Sequence, residues 1–317
     1  MDQLRKAAEI TLRDCMGVRE GEKVLIVIDE VTRSIGLKLF ERAKELRTEA
    51  MLVEMVSRKT HGEEPPVAVA EAMKRVQVVV AATSKSLSHT QARQEANRAG
   101  ARIASMPGIT PDIMARTLNA DYREIERASL KFASYLTQAS TARITTAAGT
   151  DLVIGLEGRE GKPDTGIYHE PGSFGNLPAG EAYIAPVEGT ARGKLVVDGS
   201  MAGIGRLSQP LEMRVEEGKV VEVKGGPEAE LLRQMLEMHG EPAYNIAELG
   251  LGLNGRAILS GVVLEDEKVL GTVHVALGDN STIGGRVQVP SHLDGVILKP
   301  TVELDGEIIL REGKFVL

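Results

Sequence analysis

The sequence is poor in sulfur and in aromatic rings. It has one cysteine, Cys15, and no tryptophan. A lone cysteine excludes an internal disulfide framework and fits a reducing compartment. Its place in an apolar helical pattern reads as a buried packing residue and not as a nucleophile. Aromatic residues make up 3% of the chain, too few for a base-stacking platform. The net charge of −7 leaves no basic footprint for nucleic acid. No stretch of about 18 apolar residues exists, so no membrane span is expected. The opening MDQLRKAAEITLRDC lacks the apolar run of a signal peptide, and a cytoplasmic location is the expectation. Nucleotide fingerprints are missing too. The first strand is followed by GluValThrArgSer with no GxGxxG, and no GxxxxGK[ST] occurs. The glycines of GDNSTIGG (278–285) lack a following lysine and helix, so they read as a turn.

What remains is an ordinary globular composition. The 317 residues are 42% hydrophobic and 26% charged, enough for two domains with cores of their own. Residues 3–16 read as an amphipathic helix with Leu4, Ala7, Ala8, Leu12 and Cys15 on one face. Apolar strand runs KVLIVID (23–29), EAMLVEMV (49–56), VQVVVAAT (76–83) and ARIASM (101–106) alternate with helical patterns. Ser88 or Thr90 and the pair Thr110-Pro111 mark two helix starts. This alternation predicts an α/β domain with a doubly wound parallel sheet over residues 1–137, Rossmann-like in layout.

The character changes near residue 140, where glycine and proline become frequent and strands shorten. Residues 138–317 are expected to form a mainly antiparallel, β-rich domain with one helix, about 227–239. The chemistry concentrates there, in EDEKVLGTVHVALGDNSTIGGRVQVPSHLDGV (265–296). His292 and Asp294 stand two residues apart, and on a strand such residues face the same side. His274, on a neighbouring strand, completes two imidazoles and a carboxylate, a facial ligand set for a divalent transition metal. Glu181 and Glu248 lie beside the apolar runs AYIAP and LGLGL, where an unpaired carboxylate is costly and a cation resolves the cost. His89 sits at a helix start after the third strand and is read as a surface histidine. His61, His169 and His239 are given no role.

These segments resemble the aminopeptidase T and aminopeptidase S metallopeptidase family. GNLPAGEAYIAPVEGTARG is similar to its Pro-x-x-Glu segment, NIAELGLGLN to its second Glu motif, DEKVLGTVHVALG to its His-x-Ala-Leu-Gly motif, and SHLDGVI to its closing His-x-Asp motif. The resemblance implies Glu181, Glu248, His274, His292 and Asp294 as metal ligands. The family's active-site Tyr, seven residues after the His, is here Ser281. A related branch holds the ring-cleaving dihydroxypyridine dioxygenases, which use two His and one Asp around non-haem iron.

Two activities follow as expectations. The first is a metal-dependent aminopeptidase, a hydrolase with Zn, Co or Mn polarising the scissile carbonyl and Glu248 or Glu267 taking the proton. Tyr183, two residues after Glu181, or Tyr244 would replace the missing phenol. The second is an Fe(II) ring-cleaving dioxygenase at His274, His292 and Asp294, with Glu181 and Glu248 supporting them. The acid count favours the first and Ser281 the second; the aminopeptidase is the main expectation. A structural zinc site ranks last, since one cysteine cannot build it. Expected partners are a small molecule or short peptide and further copies of the chain, in a homodimer or larger homo-oligomer.

Overall fold

The computed structural model describes residues 3–316. The chain divides into two compact units, Met1–Glu126 with Thr165–Ala179, and Arg127–Asp164 with Gly180–Leu317. No helix among the described residues is long and apolar enough to cross a membrane.

The first unit is built on a five-stranded sheet in the order Glu49–Glu54, Lys23–Ile28, Val78–Ala82, Arg102–Ser105, Phe174–Asn176. Every neighbouring pair in it is parallel. Val24 to Ile28 and Val78 to Ala82 are buried throughout, as unbroken apolar runs covered on both faces must be. Helices Arg33–Glu45, Val67–Met73 and Gln91–Arg98 connect the strands. Thr90, not Ser88, caps the third of these by accepting the Arg93 amide hydrogen, and Thr110 caps Pro111–Thr117 through Ile113. The N-terminal helix, Gln3–Ile10, widens into a π-helical turn at Thr11–Cys15, with Cys15 buried. The fifth strand is unexpected. Residues 165–179, which the composition shift near residue 140 puts in the β-rich part, return to the first unit.

The second unit holds two antiparallel sheets. An eight-stranded one runs in the order 219–224, 211–216, 192–197, 151–155, 141–145, 301–304, 307–311, 314–315. A seven-stranded one runs 205–206, 200–201, 292–297, 273–278, 246–252, 181–184, 162–164. One hydrophobic cluster draws on both, with Ile144, Leu152, Leu195 and Met213 from the first and Ile184, Leu249, Leu251, Val273, Val275 and Leu293 from the second.

Strand periodicity then sorts the side chains of the seven-stranded sheet. Val273, Val275 and Leu277 enter the core, so His274 and Ala276 take the opposite face. Leu293 and Ile297 enter it, so His292 and Asp294 do not, and the same holds for Ala182 and Ile184 against Glu181 and Tyr183. The strand Ile246–Gly252 needs a correction to its parity. Ile246 and Leu249 are both core residues although they are three apart. A register shift between Ile246 and Glu248 supplies the extra residue, Ala247, and turns Glu248 toward the polar face.

Candidate metal centre

Pairing across the strands assembles that polar face into rows. Glu248 lies opposite Ala276, which lies opposite Asp294. Tyr183 lies opposite Gly250, which lies opposite His274. Gly278 faces His292, and Glu181 faces both Gly252 and Asp164. Small residues therefore alternate with the functional ones and leave room above the sheet. At Gly250 this room is fully used: a Cβ there would lie 2.0 Å from His274 Nε2.

The structure brings Glu181, Glu248, His274, His292 and Asp294 together. They form two donor groups that share Glu248: Glu181, Glu248 and His274 in one, Glu248, His292 and Asp294 in the other. His274 Nε2 is 3.2 Å from Glu248 Oε1 and 3.3 Å from Glu181 Oε2. His292 Nε2 is 3.5 Å from Glu248 Oε2 and 3.3 Å from Asp294 Oδ1. His274 is fully buried, whereas the His292 side chain is 35% exposed.

Tautomer chemistry shows what this arrangement asks for. His292 Nδ1–H donates to the Asp279 carbonyl at 2.8 Å, and a carbonyl can only accept. Its Nε2 lone pair then points at two carboxylates, an arrangement that needs a proton or a metal ion between them. In the metal-free protein the proton wins. Burial works to lower the pKa of His292, but the charge and hydrogen bond of Asp294 and the charge of Glu248 hold it well above the usual imidazole range. Burial likewise opposes protonation of His274, yet the Glu248 hydrogen bond and the charges of Glu181, Glu248 and Asp294 raise it to about 9. Burial alone pushes the Asp294 carboxyl up, but the two imidazoles and Lys268 bring it well below the usual range. Imidazole nitrogens and carboxylates converging in an acid-rich cluster fit a divalent metal ion. Glu181 Oε2 and His274 Nδ1 also have no hydrogen-bond partner among the described residues.

One residue at the site is absent from the sequence reading. Lys268 follows the Val263–Asp266 helical turn, and its side chain is 2% exposed. Its Nζ lies 2.5 Å from Glu181 Oε1, 2.7 Å from Glu267 Oε1 and 3.5 Å from Asp164 Oδ2. Burial opposes its charge, but these carboxylates raise its pKa well above the ordinary lysine value. Burial holds Glu181 at about 8 against the pull of Lys268, and raises Glu267. Three carboxylates thus share one ammonium. The remaining acids of the motif are spent on backbone. Glu265 Oε1 accepts the Ile258 amide, and the Asp266 carboxylate accepts those of Ser260 and Gly261.

The remaining candidates lie outside the two donor groups. Ser281 Oγ donates to the Asp279 carboxylate at 3.0 Å, in the turn after the His274 strand. Tyr183 shares the face of Glu181, and burial with the charges of Glu248 and Glu181 raises its phenol far above the usual value. Tyr244 closes the 3₁₀ turn Glu241–Tyr244 and packs on the core. His61 accepts the Ser86 amide through Nδ1, His169 Nε2 donates to the Asp14 carbonyl, and His89 is exposed. Two surface clefts of the second unit, one bordered by Arg159, Glu188 and Arg286 and one by Arg143, Arg192 and Arg214, contain none of the ligating residues.

Comparison with known proteins gives a consistent answer. A protein-family model described as 2,5-dihydroxypyridine 5,6-dioxygenase matches residues 3–317. A curated 2,5-dihydroxypyridine 5,6-dioxygenase of Pseudomonas putida KT2440 is 26% identical over 248 residues, 73% of this chain and 69% of the relative. A solved 2,5-dihydroxypyridine dioxygenase from Pseudomonas putida KT2440 superposes with a TM-score of 0.84 at 22% identity, covering 99% of this chain and 96% of that one. Wild-type AmpT from Thermus thermophilus superposes at 0.73 with 19% identity, covering 99% of each chain. The fold is common to both. The family match and the curated relative overturn the expectation of an aminopeptidase or other hydrolase. Of the acids that favoured that expectation, Glu181 and Glu267 also contact a buried lysine.

Proposed function

The chain belongs to the 2,5-dihydroxypyridine 5,6-dioxygenase family, and on that premise we propose that it is a non-haem iron(II) dioxygenase that opens the ring of a dihydroxylated pyridine. The observation that carries this reading is the meeting of two imidazoles, His274 and His292, with Asp294 around the Glu248 carboxylate on one sheet face. His274, His292 and Asp294 would hold the metal, and three protein donors leave positions open for small ligands. Iron(II) bound there supplies the one-electron chemistry that makes dioxygen reactive toward an electron-rich ring.

The chain's own residues bind, orient and move protons. The Asp279 carbonyl fixes the His292 ring so that Nε2 faces the site. Glu248, between both imidazoles, is the carboxylate set to take the proton of a substrate hydroxyl. Tyr183 stays a neutral phenol and offers a hydrogen-bond donor on the same face. Gly250 makes room for the His274 ring, and Ala276, between Glu248 and Asp294, keeps the sheet face low beside them.

The test is oxygen uptake by the iron(II)-loaded protein with 2,5-dihydroxypyridine. Uptake should match, mole for mole, the loss of the ring's ultraviolet absorbance, and aminoacyl-p-nitroanilides should stay intact with zinc, cobalt or manganese. An iron-loaded protein that consumes no oxygen with any dihydroxypyridine rules the reading out.

A further inference from the structure

We propose that the Lys268 ammonium occupies a second cation position, as a tethered substitute for a metal ion, and so restricts the centre to one exchangeable metal per chain. The inference rests on the metal centre of the preceding section and concerns the corner beside it. Asp164 and Glu181 are paired across adjacent strands, and both side chains are largely buried. Glu267 joins them from the turn after the Val263–Asp266 helix. Three carboxylate oxygens from three separate segments therefore surround one point, at 2.5, 2.7 and 3.5 Å. Hard divalent cations take oxygen sets of this kind. Here the point is filled by Nζ of the largest fully buried side chain among the described residues.

A buried lysine loses hydration that only close anions restore, so this one is held where the carboxylates are. Glu181 is the shared wall. Its Oε1 contacts Lys268, while Oε2 lies 3.3 Å from His274 Nε2 and has no hydrogen bond among the described residues. His274 lies against that second oxygen, on the side away from the ammonium. A second metal ion at the Lys268 position would have the oxygens of Asp164, Glu181 and Glu267 to bind, and those are taken by the ammonium. The lysine thus performs the electrostatic part of a second ion's work without offering a coordination position or exchanging with solvent.

Metal stoichiometry tests this directly, with manganese(II) as the probe in an equilibrium titration read by electron paramagnetic resonance. The wild type should take one tight equivalent. Lys268→Ala, which vacates the position and leaves its carboxylates, should take two. Glu181→Gln should still take one, with affinity changed less than tenfold, because Glu181 Oε1 is engaged by Lys268 and the proposed metal ligands are His274, His292 and Asp294. Two equivalents in the wild type, one in folded Lys268→Ala, or a tenfold or greater loss in Glu181→Gln would each overturn the proposal. The wild-type and Glu181→Gln titrations decide it even where Lys268→Ala does not fold. The ring-opening assay is independent: an inactive wild type that binds one manganese refutes the dioxygenase reading and leaves this inference standing.

Discussion

Replacing Gly250 by alanine adds one methyl group to a strand already in extended conformation. Gly250 is not among the glycines with positive φ, so the backbone tolerates the change. The methyl would sit 2.0 Å from His274 Nε2 and 2.1 Å from Cε1, where ordinary contact begins at 3.4 Å. The imidazole must retreat by the difference, about 1.4 Å, and it carries the donor nitrogen with it. Misplacing a reacting or ligating atom by about 1 Å costs on the order of 100-fold in turnover. Metal affinity should fall about 10- to 100-fold, the range found when a ligand loses its orienting support, or about 1.4–2.8 kcal/mol. Overpacking costs about 1–3 kcal/mol of folding stability besides. Gly255→Ala is the control, because its added methyl would meet only Leu270 Cδ2, at 3.6 Å. Metal affinity is measured by competition with a calibrated chelator and turnover by oxygen uptake. A Gly250→Ala protein with wild-type affinity and turnover would refute the idea that this glycine seats His274.

Three other outcomes follow from the same geometry. His292→Ala and Asp294→Ala should each abolish tight metal binding while leaving the circular dichroism spectrum unchanged, because neither side chain belongs to the core cluster; full metal content in both would remove them from the ligand set. Asp279→Ala should weaken metal binding about 10- to 100-fold, since its carboxylate fastens Ser281 and Val289 and its carbonyl orients His292; unchanged affinity would show that the turn holds without it. In the metal-free protein, His274 is raised from 6.5 to about 9. It favours the protonated form when folded, so the stability it lends is complete below the unfolded value and is lost as pH climbs through the folded one. The metal-free melting temperature should therefore fall between pH 6.5 and about 9, and a divalent ion should flatten that slope by taking the protons' place; a metal-free melting temperature that rises across the window contradicts this.

Much of this geometry is legible in the sequence wherever a local rule decides it. The parallel sheet is visible because runs such as Val24–Ile28 have no polar alternation. The common side of His292 and Asp294 is visible because their strand is regular and Leu293 and Ile297 mark the opposite face. The rest depends on distant partners. Phe174–Asn176 has too little pattern to announce a strand, and it becomes one by pairing with Arg102–Ser105. Lys268, directly after an Asp-Glu pair, looks like a solvated charge. Its burial is set by Glu181, 87 positions away in sequence. The same long-range contact engages Glu181, one of the acids that favours the aminopeptidase expectation.

The extra residue at Ala247 gives the strand carrying Glu248 a sensitivity that no substitution scan would expose. Upstream of it the strand is in phase with the core through Ile246, downstream through Leu249 and Leu251. Deleting Ala247 would remove only a methyl-bearing residue and would make the ladder more regular. Yet it would leave the two halves out of step, so that either Ile246 surfaces among the acids or Glu248 points into hydrocarbon. Alanine here contributes by its place in the count, though it is itself fully buried. The distance along the chain between Ile246 and Leu249 is itself a functional quantity, and changes of length in this strand should prove far less tolerated than changes of side chain.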